Sequence, residues 1–430
     1  MDGVLAGAVE IDITPPVGSG FDGYAARQGK SLGVHDPLLA QLLLLRAGDA
    51  QIVLISLDLL GVSLAFTQQV RAGIQQVIGV PADCTMVACS HTHSGAGGFL
   101  PYHPGISAYQ DLDLQKRVAD QLIGGAIWAE QRLQNTQLGV GRGSLEGIGL
   151  NRNNPQKGAL DKDVLVLLVQ DKSGKPLAVI MNYGCHPTVL GYQNRFFSAD
   201  YPGAARSTLR KIYPDTVFLY TNGASGDVST RFTRRDQSFE EVERMGRLLA
   251  GETLKIMQTI KTQPTSKLSG RVAPVVLKFR SFPPPEIAQR ELERLQTELE
   301  ALKKAQAEHG EIRKAITRVE GATGQALLAK ELAGRSMNES QIQLLEMGEL
   351  LLVGVPGEPF TRTVQEIKNQ SLNPYTALVS YANDYQGYFP DALSIAEGDY
   401  EALISPYGAD VAEGLGEAAI QLIQGSYVQT

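Results

Sequence analysis

The chain has 430 residues, of which 43% are hydrophobic and 20% are charged, a composition typical of a globular protein and not of a disordered one. Its formal net charge of −7 and its lack of any Lys/Arg block argue against a nucleic acid partner. No apolar run is long enough to span a bilayer, so no transmembrane segment is predicted. The start, "MDGVLAGAVEIDITPPVG", has no basic segment followed by an apolar one. We therefore expect a cytoplasmic chain, or a mature form whose leader was removed.

The first part of the chain predicts strands that alternate with helices or loops. "LAQLLLLRAGDAQIVLISLDLL" has two apolar runs separated by a Gly-Asp turn, which is typical of a β-hairpin, and "DVLVLLVQDKSGKPLAVIMNYG" repeats this with a Ser-Gly turn. A helix is predicted between them by apolar residues at helical spacing, namely Phe66, Val70, Ile74 and Val77. Continuous Val/Ile/Leu runs indicate strands covered on both faces. We predict an α/β fold with a mixed β-sheet core and flanking helices, in one large domain over residues 1–430.

A segment after the "FPPPE" break differs in composition from the rest of the chain. Leucines recur there among Glu, Lys and Gln with the 3-4-3 spacing of a helix, at Leu292, Leu295, Leu299 and Leu302. Ile312, Ile316 and Val319 continue at similar intervals. We predict an antiparallel helical hairpin, residues 286–335, inserted into the α/β body. It could be a solvated packing arm, or a dimerisation arm that makes the protein a homo-oligomer.

Polar side chains that can bind metals or transfer protons follow the ends of five separate apolar runs. Loops beyond the strand ends of an α/β sheet converge on one crevice, where ligands bind. Unrelated loops would rarely each supply such a residue at the same structural position, so we expect a single site. The residues are His91 and His93, His186, Asp227 and Ser229, Glu358, and Tyr385 and Tyr388.

Two imidazoles and a carboxylate form the typical ligand set of a catalytic Zn²⁺ site that keeps one position open for water. A Tyr oxygen is a less usual but competent additional ligand. One of His91 and His93 is expected to bind the metal while the other stands beside it. Each motif alone has a simpler interpretation: short His motifs recur by chance, Glu358 could cap a helix, and Tyr388 could be an ordinary aromatic. The zinc hypothesis depends on the coincidence across loops.

Several stretches resemble the neutral (non-lysosomal) ceramidases, zinc amidases that cleave N-acyl-sphingosine. "SHTHSGAGG" is similar to the family's first histidine loop, "NYGCHP" to its second, "GASGDVS" to its Gly-Asp-Val-Ser loop and "VPGEPFT" to its glutamate loop. The family also places a ligand Tyr twelve residues before a Tyr-Glu pair, as Tyr388 precedes Tyr400 here. "LNRNNP" resembles an Asn-Arg-Ser motif. The resemblance spans nearly the whole chain except the helical hairpin and implies the family's N-terminal catalytic domain.

The resemblance also implies a role for each matched residue. Zn²⁺ would be held by His91, His186, Glu358 and Tyr388. His93 would stand beside the metal as a proton shuttle, and Arg152 and Tyr400 would hold the substrate carbonyl or the oxyanion. Ser229 would line the site, and its use as a nucleophile is an alternative mechanism.

These roles predict a zinc-dependent hydrolase of an N-acyl amide bond, with a lipid-like or small-molecule acyl substrate and a place in sphingolipid metabolism. The motifs "GDVSTR" and "NRNNP" depart from the family pattern, so we expect an altered wall on the substrate side. Other hypotheses remain open: the same zinc site could act on a soluble ester, lactone or sugar conjugate, Ser229 could serve a serine hydrolase, or the cleft could belong to a non-catalytic binding module.

Overall fold

The structure, a computed structural model, describes residues 3–101, 106–107 and 109–425. In chain order its strands are β1 (Val4–Asp12), β2 (Gly33–Val34), β3 (Leu39–Ala47), β4 (Ala50–Leu57), β5 (Thr85–Cys89), β6 (Gln134–Ser144), β7 (Leu150–Asn151), β8 (Asp163–Gln170), β9 (Pro176–Tyr183), β10 (Phe196–Phe197), β11 (Val217–Asn222), β12 (Val228–Ser229), β13 (Leu268–Lys278), β14 (Met337–Met347), β15 (Leu350–Gly354), β16 (Glu358–Pro359), β17 (Thr376–Val379) and β18 (Tyr388–Phe389).

The helices flank these strands. They are α1 (Leu64–Ile78), α2 (Leu112–Gln131), α3 (Asp200–Arg210), α4 (Phe239–Met257), α5 (Pro285–Lys304), α6 (His309–Glu331), α7 (Thr361–Gln370), α8 (Ala392–Glu397), α9 (Tyr400–Ile404) and α10 (Ala409–Gln424), with short 3₁₀ helices at Ala82–Cys84 and Thr230–Phe232. Among the described residues, no helix is both long and apolar enough to cross a membrane.

The largest sheet has eight strands in the order β11-β9-β8-β6-β1-β3-β4-β5. Its outer pairs β9–β11 and β4–β5 are parallel and the inner pairs are antiparallel, so the predicted mixed sheet with flanking helices is confirmed. Both predicted hairpins are present: β3 and β4 turn at Gly48, with φ 58°, and β8 and β9 turn at Gly174, with φ 88°. Glycine suits both turns because it adopts positive φ without a steric penalty.

Helix α1 lies where the apolar spacing predicts it, but the prediction that Val77 belongs to the buried face is wrong. Ser63 caps the helix, its hydroxyl accepting a hydrogen bond from the Phe66 amide. Val77 is 40% exposed, whereas Ile78 is buried. The buried face passes from Ile74 to Ile78, four residues on, and not to Val77, three residues on. The helical repeat of 3.6 residues allows either step.

A second sheet, β13-β14-β15-β17, packs against the large one. The two share a buried core to which the large sheet contributes Leu54 and Met86 and the second sheet contributes Leu345, Leu352 and Val379. This shared core holds fixed the loops that leave β5, β9, β11, β15 and β17. The assignment of all 430 residues to one domain stays a prediction.

The predicted helical hairpin consists of α5 and α6, which pack on each other. In the chain the two helices connect β13 to β14, which are neighbouring antiparallel strands. Leu292, Leu295 and Ala322 meet in its small apolar core. Its charged faces point to solvent, with ion pairs such as Arg294 with Glu291. Three leucines of the predicted stripe, Leu292, Leu295 and Leu299, are therefore buried within one chain, whereas Leu302 is half-buried.

Candidate metal centre

The loops after β5, β9, β15 and β17 bring the predicted ligands together at one edge of the sheets. His91 follows β5 in a left-handed conformation, with φ 69°. Its amide donates to the carbonyl of Leu59. A residue with a Cβ adopts this conformation only at an energetic cost that the surroundings must offset. Here the residue in that conformation places its imidazole among the buried side chains of His93, His186 and Glu358.

Two of the imidazoles are held with their Nε2 atoms directed at a common centre. His91 Nδ1 lies 2.8 Å from the carbonyl oxygen of Leu60, and His186 Nδ1 lies 2.6 Å from that of Ser225. A carbonyl oxygen can only accept, so each Nδ1 carries the proton and each Nε2 presents its lone pair. This orientation by a backbone carbonyl is usual for histidines that bind metals.

The distances between the donor atoms match a single coordination sphere. His91 Nε2 lies 3.2 Å from His93 Nε2 and 3.8 Å from Glu358 Oε2, and His186 Nε2 lies 3.0 Å from Glu358 Oε2. Metal–ligand bonds of about 2.0–2.1 Å in a tetrahedron would separate ligand atoms by roughly 3.3 Å. His186 Nε2 has no aligned hydrogen-bond partner among the described residues, although it is buried. The set therefore fits a Zn²⁺ ion.

Glu358 is completely buried and anchored by two tyrosines. The Tyr385 hydroxyl donates to Oε1 at 2.6 Å and the Tyr381 hydroxyl to Oε2 at 3.3 Å. Burial alone would raise the pKa of Glu358, but His91 and His186 outweigh it and lower the pKa to about 2. Burial has the opposite effect on His91, because it disfavours the charged imidazolium and lowers the pKa of His91 to about 3. A carboxylate and a neutral imidazole are the protonation states that a divalent cation requires.

Tyr388 lies beside this donor set. Its strand β18 pairs in parallel with β16, so Tyr388 stands directly opposite Glu358. Its ring centre is 6.4 Å from that of His186. Burial holds the pKa of Tyr388 well above its usual value, although the charge of Arg152 and a hydrogen bond with it act in the opposite direction. The structure thus brings the fourth predicted ligand next to Glu358 and His186, in contact with Arg152.

His93 lies among the donor atoms themselves, although the resemblance implies only a position beside the metal. One ring nitrogen from each of His91, His93 and His186 lies within 4.8 Å of the other two. Burial first, and then the neighbouring imidazoles, hold the pKa of His93 well below its usual value. Its Nδ1 is buried without a hydrogen-bond partner among the described residues, and its ring packs 4.6 Å from that of Tyr24. The geometry is compatible with ligation and with proton transfer.

Arg152 reaches the centre from the loop after β7. Its Nε lies 2.8 Å from Glu401 Oε1, and its guanidinium stands over the Tyr388 ring at 5.3 Å. Burial opposes its charge, but Glu401, Tyr388 and Glu358 outweigh burial and raise its pKa above the usual value. Tyr400 is further out and 37% exposed, and partial burial followed by Glu320 raises its pKa to about 12. Arg152 is therefore a permanent cation and Tyr400 a neutral donor.

Ser229 lines the site without a general base. It is buried, and its backbone forms an isolated bridge with His186. Its hydroxyl accepts from the Arg231 amide at 3.4 Å, and no histidine nitrogen of the described chain hydrogen-bonds it. Activation of a serine needs such a base within hydrogen-bonding reach. The geometry favours a wall position for Ser229.

Other contacting residues were missed or left without a role by the sequence. The sequence predicts Tyr385 among the converging residues but gives no sign of its contact with Glu358, and Tyr381 carries no motif at all. Glu401 directly follows Tyr400 in the Tyr-Glu pair, which was the signal that could have found it. Asp227 links loops, since Oδ1 accepts from the Thr361 amide at 2.9 Å and Oδ2 from the Asn151 amide group at 2.8 Å.

A family model described as "Neutral/alkaline non-lysosomal ceramidase, N-terminal" matches residues 4–233, which is more than half of the chain. The chain belongs to this family. Neutral ceramidase A of Dictyostelium discoideum is 29% identical over 157 residues, or 32% of this chain and 22% of that protein. The neutral ceramidase of Pseudomonas aeruginosa is 27% identical over 204 residues, or 43% of this chain and 30% of that protein. The matched segments thus span less than a third of these ceramidases.

The likeness in fold extends over the whole chain. The crystal structure of the neutral ceramidase from Pseudomonas aeruginosa superposes with a TM-score of 0.77 at 20% identity, covering 100% of this chain and 76% of that one. The α/β architecture is therefore that of a neutral ceramidase, including the part of the chain beyond the family-model match.

Proposed function

We propose that this member of the ceramidase family is a zinc-dependent hydrolase that cleaves an N-acyl amide bond of a ceramide-like substrate. The observation that carries the proposal is the buried cluster of His91, His186 and Glu358, whose donor atoms face one point. Family membership supports hydrolysis as the reaction. The amide substrate is inferred from the names of relatives that this chain matches over only part of their length.

His91, His186 and Glu358, with Tyr388 as the fourth predicted ligand, would hold the zinc ion. When bound, zinc supplies a Lewis acid that activates water at neutral pH. His93, at 3.2 Å from His91 Nε2, is positioned to move a proton to the leaving amine. The cationic Arg152 and the hydroxyl of Tyr400 would meet the oxygen on which negative charge develops.

The test compares metal content and hydrolysis in the same preparations. Zinc would be measured in the purified protein, and turnover would be measured with N-acyl-sphingosine, soluble N-acyl amides, esters, lactones and glycosides, with and without a chelator. His91→Ala removes a proposed ligand. His35→Ala is a matched control, because His35 stacks on Phe239 at 3.7 Å, away from the donor cluster.

We expect wild type and His35→Ala to contain one zinc ion and to hydrolyse N-acyl-sphingosine. His91→Ala should lose zinc and activity together. Full activity in a metal-free preparation would refute the mechanism. Turnover of only the soluble esters, lactones or glycosides would keep the zinc site but reassign the substrate, and zinc binding without any turnover would favour a binding module.

Cytoplasmic location and oligomerisation through the hairpin are also proposals. Light scattering of the purified chain and fractionation of the cells that make it would test them. Leu292 and Leu295 of α5 are buried against α6 within one chain. An oligomer would therefore have to use the hairpin's outer surface.

A further inference from the structure

The second helix of the hairpin packs closely on α9, the short helix that carries Glu401. A Cβ added at Gly321 would stand 2.6 Å from Leu403 Cδ1, and one added at Gly324 would stand 2.6 Å from Ile404 Cγ2. Side chains at these two positions of α6 would therefore have to displace the side chains of Leu403 and Ile404, and leucines there would need still more of the space that α9 occupies. The two glycines let the backbones of α6 and α9 come together.

The base of the hairpin holds the other end of α9. Arg280, which lies between β13 and α5, donates from its guanidinium to the carbonyls of Leu403 and Ser405 at 2.8 and 2.9 Å. Its amide donates to the carbonyl of Pro406 at 2.9 Å. These bonds satisfy carbonyls at the C-terminus of α9 that have no partner within the helix. The hairpin thus contacts α9 along its side and at its end.

Helix α9 in turn contacts the centre at two points. Glu401 Oε1 lies 2.8 Å from Arg152 Nε, and both side chains are largely buried. Just after the helix, the Ser405 hydroxyl donates to the carbonyl of Tyr388 at 2.8 Å. A shift of α9 would therefore move the carboxylate that faces Arg152 as well as the strand that carries Tyr388.

We infer that Glu401 is a positioning residue for Arg152 and that the α5–α6 hairpin clamps α9 to keep Glu401 in place. The inference rests on the proposed function, in which Arg152 meets the developing negative charge. An arginine side chain has many rotamers, and stabilising a transition state requires its head to be in place beforehand. Glu401 supplies a fixed, buried anchor for that head, and the hairpin supplies the rigidity of the anchor.

Two independent changes test the inference. Glu401→Gln keeps the shape of the side chain but removes its charge. Gly321→Leu/Gly324→Leu changes the contact between α6 and α9 without substituting any residue of the centre, although a shift of α9 would also act on the strand of Tyr388 through Ser405. Gly124→Leu in α2 is the matched control, because a Cβ at Gly124 meets nothing within 4 Å.

We expect both changes to lower kcat by about 10- to 100-fold with KM within a factor of about three, because an interaction made only in the transition state is lost. Zinc content should stay at the wild-type level in Glu401→Gln, since that change neither alters nor displaces a proposed ligand. Gly124→Leu should behave as wild type. Wild-type kcat in Glu401→Gln, or in the double glycine variant, would overturn the inference.

Combining Glu401→Gln with Arg152→Gln separates positioning from general damage. If Glu401 acts through Arg152, Glu401→Gln should lower kcat little further in that background, whereas independent roles would multiply. Full multiplication of the two effects would overturn the inference.

A readout that needs no turnover keeps this inference separate from the proposed function. In protein labelled with ¹⁵N-arginine, the Nε–H signal absent from Arg152→Gln belongs to Arg152. It should shift in Glu401→Gln and in the double glycine variant but not in Gly124→Leu. An unchanged signal in Glu401→Gln would overturn the inference, whereas the expected shifts in a protein without hydrolytic activity would refute only the proposed function.

Discussion

Tyr385 shows how a residue outside the proposed ligand set can control it. Its hydroxyl donates to Glu358 Oε1 at 2.6 Å, so that Oε2 is left to face His91 and His186. A carboxylate with one oxygen fixed in this way cannot rotate its second oxygen out of the donor cluster. Outer contacts of this kind commonly tune metal affinity.

Tyr385→Phe should therefore weaken zinc affinity by about 10- to 100-fold without unfolding the protein. Titration with a competing chelator would measure the change. Tyr407→Phe is a suitable control: it also loses a buried hydroxyl, one that donates to Gln386 at 2.9 Å. Equal zinc affinities in Tyr385→Phe and wild type would contradict this reasoning.

Asp22 should make stability depend on pH. Burial raises its pKa to about 7, although bonds from Ser107 and Gly98 oppose the rise. Between pH ~4 and ~7 the folded chain holds a proton that the unfolded chain has lost, so the free energy of unfolding falls by up to about 1.4 kcal/mol per pH unit from this group. Above pH ~7 the group adds no further loss.

Asp22→Asn should remove that pH-dependent loss. Its amide oxygen can accept from the Gly98 amide as Oδ2 does now, at 3.1 Å. Denaturant unfolding at pH 5 and pH 8 would show the variant gaining stability relative to wild type as pH rises. A constant difference between the two proteins across this range would contradict the assignment.

At the scale of elements, the close approach of α2 to β1 depends on one glycine. A Cβ at Gly7 would lie 1.9 Å from the carbonyl oxygen of Ala129, an atom of the helix backbone that no side-chain rotation can move. Neither β1 nor α2 has a motif at this contact. The backbone of α2 therefore packs directly on the backbone of β1 at Gly7, and this contact leaves no room for a side chain.

Gly7→Ala should lower the free energy of unfolding by about 1–3 kcal/mol or more, because α2 must shift off the sheet. Gly251→Ala in α4 should do the opposite and add about 0.5–1 kcal/mol, since its Cβ meets nothing within 4 Å and alanine favours a helix. Urea unfolding of both variants would measure these changes. Equal effects of the two substitutions would show that contact with Ala129 is not the cause.

At the scale of the whole molecule, the proposed ligands come from distant parts of the chain. His91 follows the large sheet's edge strand β5, His186 follows β9, and Glu358 follows β15 of the second sheet. The unfolded chain cannot present them together. Any metal that binds them therefore binds the folded state and stabilises the packing of the two sheets.

Removal of the metal should lower the melting temperature by several degrees, since free metal at about 100 times its dissociation constant adds about 2.7 kcal/mol of stability. Calorimetry with and without a chelator would measure the shift. Glu358→Gln should show a smaller shift or none. A chelator-independent melting temperature in wild type would contradict binding at this centre.

Much of the architecture could be predicted from local patterns. The two hairpins with their Gly turns, helix α1 and the α5–α6 pair all follow from periodicity and turn residues, because these depend on neighbours in the chain. The convergence of His91, His186 and Glu358 could be inferred because each follows a strand end. Their metal-binding roles, and those of His93 and Tyr388, remain predictions.

The sequence by itself determined which stretches form strands and helices and which loops carry reactive side chains, since those follow from local backbone preferences and from apolar spacing. Only the tertiary structure decided which tyrosines anchor Glu358, that Glu401 faces Arg152, and that the hairpin rests on α9. These are contacts between residues far apart in the chain. They depend on how whole elements pack, and packing leaves no periodic signal in the order of the amino acids.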